Sequence, residues 1–246
     1  MNLSTQLTAV CVVCVIITAG CAVPPTASQS SPALTASDVT DTNTLIQTHT
    51  ATLRSQPFAV RSTTTVRNET FHVTTNQTWT VDPTPPIRAL AVRTSTATGD
   101  VPVGATQAPS RITAWRHGNE TTVRVDTGTE THLQEVTLLN SSVRLNRALH
   151  RQLLYKYSTR QNTTVETLTR NGTRFYRVQA TLNDTHVTSN ASMTLLVNGA
   201  GYVQQIETKQ TVAYRSGPRI VTETVQFNRV GTATVDAPSW VNETDR

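Results

Sequence analysis

Stretch after stretch of this chain alternates, apolar then polar, and threonine supplies much of the polar half. Phe58, Val60, Ser62, Thr64 and Val66 fall on one side of such a run, and Phe71, Val73, Thr75, Gln77 and Trp79 on one side of the next. Alternation of this kind belongs to an extended backbone, whose successive side chains point to opposite faces. Threonine, at 48 of the 246 positions, is β-branched and suits a pleated, half-exposed surface better than a helix. A chain patterned this way over most of its length is constrained to a sheet with much of its surface in water.

The breaks between runs set the strand boundaries. Asn68-Glu69 turns the chain between the first two runs, and Asp82-Pro83-Thr84-Pro85-Pro86 stops the second. Residues 87–96 read as a third strand and 97–110 as a Gly/Pro-containing loop. Arg111–His117 and Thr121–Asp126 form a hairpin around Gly118-Asn119, and a short strand follows near His132–Val136. Beyond residue 160 the strands are 162–169, 173–181, 191–198, 202–214 and 219–229. Asn171-Gly172, between two alternating runs, is the strongest hairpin signal. The total is roughly nine to ten antiparallel strands. The two halves share an order of helix, hairpin and further strands, too faintly to count as a repeat.

Two segments carry helical spacing instead. The first runs from Ser37, as cap, to about Arg54, with Val39, Leu45, Ile46, His49 and Leu53 on one stripe and Pro57 ending it. Its threonines give weak helix propensity, so packing must hold it. The second starts at Ser141 or Ser142 and ends near Tyr157, with Val143, Leu145, Leu149, Leu153 and Leu154 as its stripe. The fold class is therefore α+β, mostly antiparallel β. A long sheet curls, so the expected architecture is a curved sheet, or half-barrel, with the two helices on its concave face.

The N-terminus carries an address. Leu7 to Ile17 is almost wholly apolar, the length of a signal h-region and short of the roughly 20 residues that span a bilayer. Ile16-Ile17-Thr18-Ala19-Gly20-Cys21 then looks like a lipobox, where cleavage exposes a cysteine for lipidation at Cys21. Thr18 stands where Leu is commonest, and no Lys or Arg precedes the apolar run. The alternative is a retained anchor helix. Either way the body is tethered to the membrane on its extracytoplasmic face. The expected organisation is a signal peptide over 1–20, a lipidated Pro/Ser/Ala-rich tether over 21–36 and a single domain over 37–246. All three cysteines (Cys11, Cys14, Cys21) lie in this N-terminal segment, so a mature body has no internal disulfide.

The formal charge is +5, carried by 19 Arg and only Lys156 and Lys209. The cations are scattered and aromatics are few, which argues against a nucleic-acid footprint. The balance suits either an anionic lipid surface or simple solvation. Asn-x-Ser/Thr occurs at Asn68, Asn76, Asn119, Asn140, Asn162, Asn171, Asn183, Asn190 and Asn242, where about three are expected by chance in a chain so rich in Ser and Thr. The excess fits an N-glycosylated exterior; the competing explanation is that a Thr-rich composition generates the motif cheaply.

Three further segments carry a resemblance: Asn171-Gly172-Thr173-Arg174-Phe175-Tyr176-Arg177-Val178; Gly199-Ala200-Gly201-Tyr202-Val203-Gln204-Gln205-Ile206; and Val230-Gly231 through Val235 with Pro238-Ser239-Trp240. With Cys21 they resemble an uncharacterised family of cell-surface lipoproteins from halophilic archaea. That family is similar to lipoprotein carriers of the LolA and LppX type, which implies a half-barrel holding acyl chains between sheet and helices. The net basic charge departs from the acidic habit of halophile surface proteins, while the scarcity of Lys fits it.

Motifs of catalysis are missing. The six histidines (His49, His72, His117, His132, His150, His186) show no metal-ligand spacing, and no Gly-x-Ser-x-Gly or phosphate-binding glycine loop occurs. Asp126 with Glu130, or Glu207 with Glu223, are the conceivable carboxylate pairs, and nothing in the sequence fixes their separation. No enzyme activity, cofactor or metal is expected. The first functional reading is a carrier for a lipid or other hydrophobic ligand, lined by Phe58, Val60, Phe71, Val73, Trp79, Trp115, Phe175, Leu195, Val197, Tyr202, Ile206 and Tyr214. Taken one by one, these residues are better accounted for as filling a core. The second is a structural or interaction protein of the cell envelope with no small-molecule ligand and protein partners unspecified. An extracytoplasmic sensor or substrate-binding subunit would want two lobes and a hinge, which the pattern does not suggest.

Overall fold

The computed structural model describes residues 41–101, 111–137 and 142–243. The N-terminal signal, Cys21, the tether, the proposed cap Ser37, the stripe residue Val39 and Asn140 lie outside the described residues.

The N-terminal half contributes six strands: β1 (Phe58–Arg67), β2 (Phe71–Asp82), β3 (Arg88–Gly99), β4 (Arg111–His117), β5 (Glu120–Asp126) and β6 (Thr131–Thr137). The C-terminal half contributes β7 (Arg160–Arg170), β8 (Thr173–Leu182), β9 (Thr188–Asn198), β10 (Val203–Val212) and β11 (Arg219–Asn228). All belong to one open, curved sheet of 11 strands in the order β6-β5-β4-β3-β2-β1-β11-β10-β9-β8-β7. It consists of two antiparallel meanders, joined where the first strand pairs with the last. The count exceeds the expectation of nine to ten because every one of the eleven runs delimited by the sequence pairs with a neighbour, the short one near His132–Val136 included.

Turn chemistry explains the hairpins. Asn171 and Gly172 both take positive φ, 49° and 75°, the geometry of a two-residue turn that matches strand twist. Gly99 closes β3 against the preceding turn at φ 80°, where a Cβ would stand 2.1 Å from the Thr70 carbonyl oxygen. Only glycine fits there.

Register aligns the apolar positions into rows across the sheet. Val225, Ile206, Leu195, Val178 and Val165 are successive partners across β11 to β7. Val60 lies between Trp79 and Phe227. These residues form one core with the helices that cover this face.

Helix α1 (Thr42–Arg54) is capped by Asp41, whose carboxylate accepts from the Asn43 amide at 2.9 Å and from the Thr44 hydroxyl. The sequence pointed to Ser37 as cap; Asp41 serves for the described helix because a short carboxylate reaches the free amides of the first turn. Thr fills five of the 13 positions of α1, which costs about 3 kcal/mol of propensity relative to Ala. Leu45, Ile46 and Leu53 are 0–1% exposed, and burying each contributes roughly 2 kcal/mol. Packing therefore outweighs propensity, as the sequence required.

The second helical segment is not one helix. It divides into α2 (Ser142–Ala148) and α3 (Arg151–Tyr155), the latter running into a 3-10 turn over Lys156–Thr159. The break is His150, held at φ 49°. The carbonyl of His150 accepts from the amides of Leu153 and Leu154 at 3.0 and 3.2 Å, starting α3 afresh.

The opposite face carries a smaller apolar cluster. Trp115 and its strand partner Leu90 are covered by Val235, Trp240 and Val241 from the segment that follows β11. A 3-10 turn over Ser239–Glu243 brings Trp240 down.

Candidate functional site

The helices do not cover their whole face of the sheet. Below the edge of α2 and α3 lies a part-open cavity of about 700 Å3. Its floor includes Gln77 of β2 and Glu223 of β11, and its wall is built by Arg147, His150, Arg151, Leu153, Tyr155 and Lys156. Gln77 and Glu223 occupy inward positions of β2 and β11, at the places where register also puts Ser62 and Thr64 of β1. Further along the same face of β1 and β11 come Val66 and its partner Val221.

His150 owes its place in the wall to the break between α2 and α3. Its Nδ1 lies 3.6 Å from Glu223 Oε1, beyond hydrogen-bond reach. Its ring meets Phe227 edge-on at 6.1 Å, and its buried Nε2 has no hydrogen-bond partner among the described residues. Burial pushes the imidazole down to about 4. Burial pushes the Glu223 carboxyl up, with the charge of Lys156 opposing. Both shifts favour neutral forms, so the contact is not an ion pair at neutral pH.

A second histidine is structural. His49 of α1 is 0% exposed. The Val203 amide donates to its Nδ1 at 3.3 Å, so Nε2 carries the proton and donates to the Leu149 carbonyl at 3.0 Å. One neutral imidazole thus ties α1 to the start of β10 and to the α2–α3 break. Burial is the main reason its pKa falls to about 4.

The residues expected to line a ligand site scatter. Phe58, Val60, Leu195, Val197 and Ile206 are 0% exposed inside the main core, and Trp79 packs against it. Phe71 and Val73 are buried on the same face, away from that core. Trp115 projects to the opposite face, under Trp240. Phe175 also points there, because its partner is Leu168 while the inward rows of β8 hold Tyr176 and Val178. An alternating pattern with large residues on both faces does not say which face is the core, so the parity of Trp115 and Phe175 was unreadable. Tyr202 is half-buried in the turn between β9 and β10, where burial raises its hydroxyl pKa. Tyr214 falls past the end of β10 and is 46% exposed, with the Arg219 guanidinium 4.1 Å over its ring.

Of the described asparagine sequons, Asn119, Asn162, Asn171, Asn183 and Asn190 are exposed. Asn68 is half-buried because its Oδ1 accepts from the amides of Thr70 and Phe71 at 3.0 and 2.9 Å, closing the β1–β2 turn. Asn76 is half-buried and accepts from the Thr63 hydroxyl at 2.8 Å. Asn242 lies in the last 3-10 turn. The carboxylate pairs dissolve: Glu207 and Glu223 sit on opposite faces. Asp126 is held by Arg124 and Thr131, while Glu130 meets His132. Among the described residues no group of His, Cys, Asp and Glu is arranged to hold a metal.

Sequence reasoning missed the cavity residues Arg147, His150, Arg151, Lys156, Gln77 and Glu223. Two signals were present. Glu223 interrupts the apolar alternation of Val221, Val225 and Phe227. Arg147 and Arg151 stand four apart beside the apolar stripe of the second helical segment.

No protein-family model matches the chain, and no curated protein matches it. Three solved structures are similar to it in part. LprF from Mycobacterium bovis is 12% identical with a TM-score of 0.39, over 80% of this chain and 96% of that one. A DUF1329 family protein from Desulfovibrio piger is 9% identical with a TM-score of 0.29, over 81% and 94%. A putative outer membrane lipoprotein-sorting protein domain from Vibrio parahaemolyticus is 9% identical with a TM-score of 0.29, over 83% and 99%. None of the three is archaeal, and the expected resemblance to halophile lipoproteins gains no support from them.

Proposed function

We propose that this chain is a membrane-anchored extracytoplasmic lipoprotein that binds a lipid or other hydrophobic ligand between its helices and the concave face of a half-barrel sheet. The observation that carries this reading is the cavity of about 700 Å3 at the helix edge, within the usual size range of ligand sites. Leu153 and Tyr155 supply apolar surface to its wall, and Val66 and Val221 continue the same face of the sheet. The anchor in this reading is a lipid on Cys21, preceded by a signal peptide over 1–20 and followed by a tether over 21–36. The exposed sequons suit glycosylation, since a glycan needs a solvent-facing asparagine. The function is binding, not catalysis, and nucleic acid is not a partner. Among the described residues no helix is long and apolar enough to cross a membrane.

Native mass spectrometry on protein purified without detergent tests the carrier reading. Retained lipid is expected, and uniformly bare protein would refute it. The anchor has its own test: Cys21→Ser should release the body from membranes, and unchanged retention would refute lipidation.

One observation favours the second reading, a structural or interaction protein of the envelope. The space directly beneath α1 is filled, with Leu45, Ile46, Phe58, Val60, Leu195 and Ile206 all 0–1% exposed. That reading expects no retained lipid and recovery of an envelope partner by crosslinking in intact cells.

A further inference from the structure

The charges around the cavity are unbalanced. Arg147, Arg151 and Lys156 all line it, against a single carboxylate, Glu223. Among the described residues, none of the three cations lies within ion-pair distance of a carboxylate.

Arg151 is the most telling of the three. Its guanidinium is half-buried and oriented by its own helix: Nη2 donates to the Tyr155 hydroxyl at 3.1 Å, and the group lies 5.9 Å from the Tyr155 ring centre. Its Nε is buried with no acceptor among the described residues. A desolvated donor left unpaired is destabilising. A charged acceptor arriving in the cavity meets a guanidinium whose orientation is already fixed. Gln77 on the floor adds an amide that both donates and accepts.

The floor changes character away from the helices. Two residues along β11 from Glu223 is Val221, and two residues along β1 from Thr64 is Val66. That is about 7 Å of strand. Val66 and Val221 are half-exposed register partners on the helix-covered face. The two valines thus stand one inward row along the sheet from the cavity floor, on the same face as the basic wall.

We infer that the site takes an anionic amphiphile, its acidic head group held by Arg147, Arg151 and Lys156 and its apolar part lying over Val66 and Val221. This rests on the binding reading above and narrows it to a ligand class. A neutral lipid satisfies the apolar strip and leaves the cations unanswered. A free anion does the reverse.

Calorimetric titration of the delipidated full chain separates these cases. The probes are dihexanoylphosphatidylglycerol, dihexanoylphosphatidylcholine and inorganic phosphate, each below its aggregation concentration. Phosphatidylglycerol is expected to bind at least about tenfold more tightly than phosphatidylcholine, with phosphate alone weaker than either. Arg147→Gln/Arg151→Gln/Lys156→Gln should bring the two lipids to within about twofold of each other. Arg147→Gln/Lys156→Gln changes only exposed side chains and so leaves folding intact; it should cut the preference by roughly threefold. Equal binding of both lipids to wild type, or a preference that survives these variants, overturns the inference and leaves the carrier reading standing. Phosphate binding as tightly as phosphatidylglycerol overturns it in favour of a free-anion site. Binding of neither lipid removes the carrier reading as well.

Discussion

Acidification should loosen this fold at His49 well before the carboxylates respond. In the native state its Nδ1 accepts from Val203 and its Nε2 donates to Leu149. A second proton would have to go on Nδ1, displacing the Val203 amide in a site that is 0% exposed. The native pKa is accordingly lowered from 6.5 to about 4. Between those values the unfolded chain binds a proton that the native state refuses, so stability rises with pH and is lost as pH falls from 6.5 towards 4. At about 1.4 kcal/mol per pH unit of difference the full loss is about 3 kcal/mol, and about 2 kcal/mol is gone by pH 5. His150 faces the same ring of Phe227 and is lowered likewise. Glu223, raised by burial, acts in the opposite sense. Asp41, Asp82 and Asp126 are lowered below their ordinary value, so their contribution fades only under stronger acid. Urea denaturation followed by tryptophan fluorescence at pH 7, 6 and 5 measures the slope. His49→Gln retains a donor and an acceptor but cannot titrate. The variant starts less stable at pH 7, yet should lose about 2 kcal/mol less than wild type on going to pH 5. Equal losses in the two proteins would refute the assignment of a buried neutral imidazole.

Other substitutions probe other parts of the fold. Trp240→Ala uncovers Trp115 and Leu90 on the outer face and should cost about 3 kcal/mol in urea denaturation; a cost under about 1 kcal/mol would mean the C-terminal segment adds little. Gly99→Ala places a methyl group 2.1 Å from the Thr70 oxygen at φ 80°, and a clear fall in melting temperature is expected. Glu223→Gln removes a carboxyl whose pKa burial raises. Its advantage in melting temperature over wild type should grow as pH rises above the ordinary carboxylate range, because wild type alone must ionise there. A difference that stays constant from pH 4 upward would show that burial does not oppose the Glu223 charge.

Most of the fold was legible because strands advertise themselves locally. The runs at 58–66 and 71–79 alternate cleanly, Asn171-Gly172 demands its turn, and Leu45, Ile46, His49 and Leu53 form the buried stripe of α1. Features set by long-range packing were not legible. His150 splits the second helix at a left-handed residue that no Gly or Pro marks. Trp115 and Phe175 sit on strands with large residues on both faces, so only register decides their side. The site suffered most. Alternation nominates aromatic and aliphatic residues as its lining, yet the tightest packing consumes Phe58, Val60 and Leu195. The open cavity was left to residues that pack poorly: arginines, a lysine and one carboxylate. Alternation reports what a core attracts, and a cavity is built from what the core leaves over.

Hydrogen–deuterium exchange with and without phosphatidylglycerol tests most directly where a ligand lies. Protection should appear at 146–156 on the helix edge and at 219–225 of β11, with the outer-face segment 229–241 unchanged. Protection confined to the outer face, or none while the lipid is demonstrably bound, would contradict a ligand held between helices and sheet.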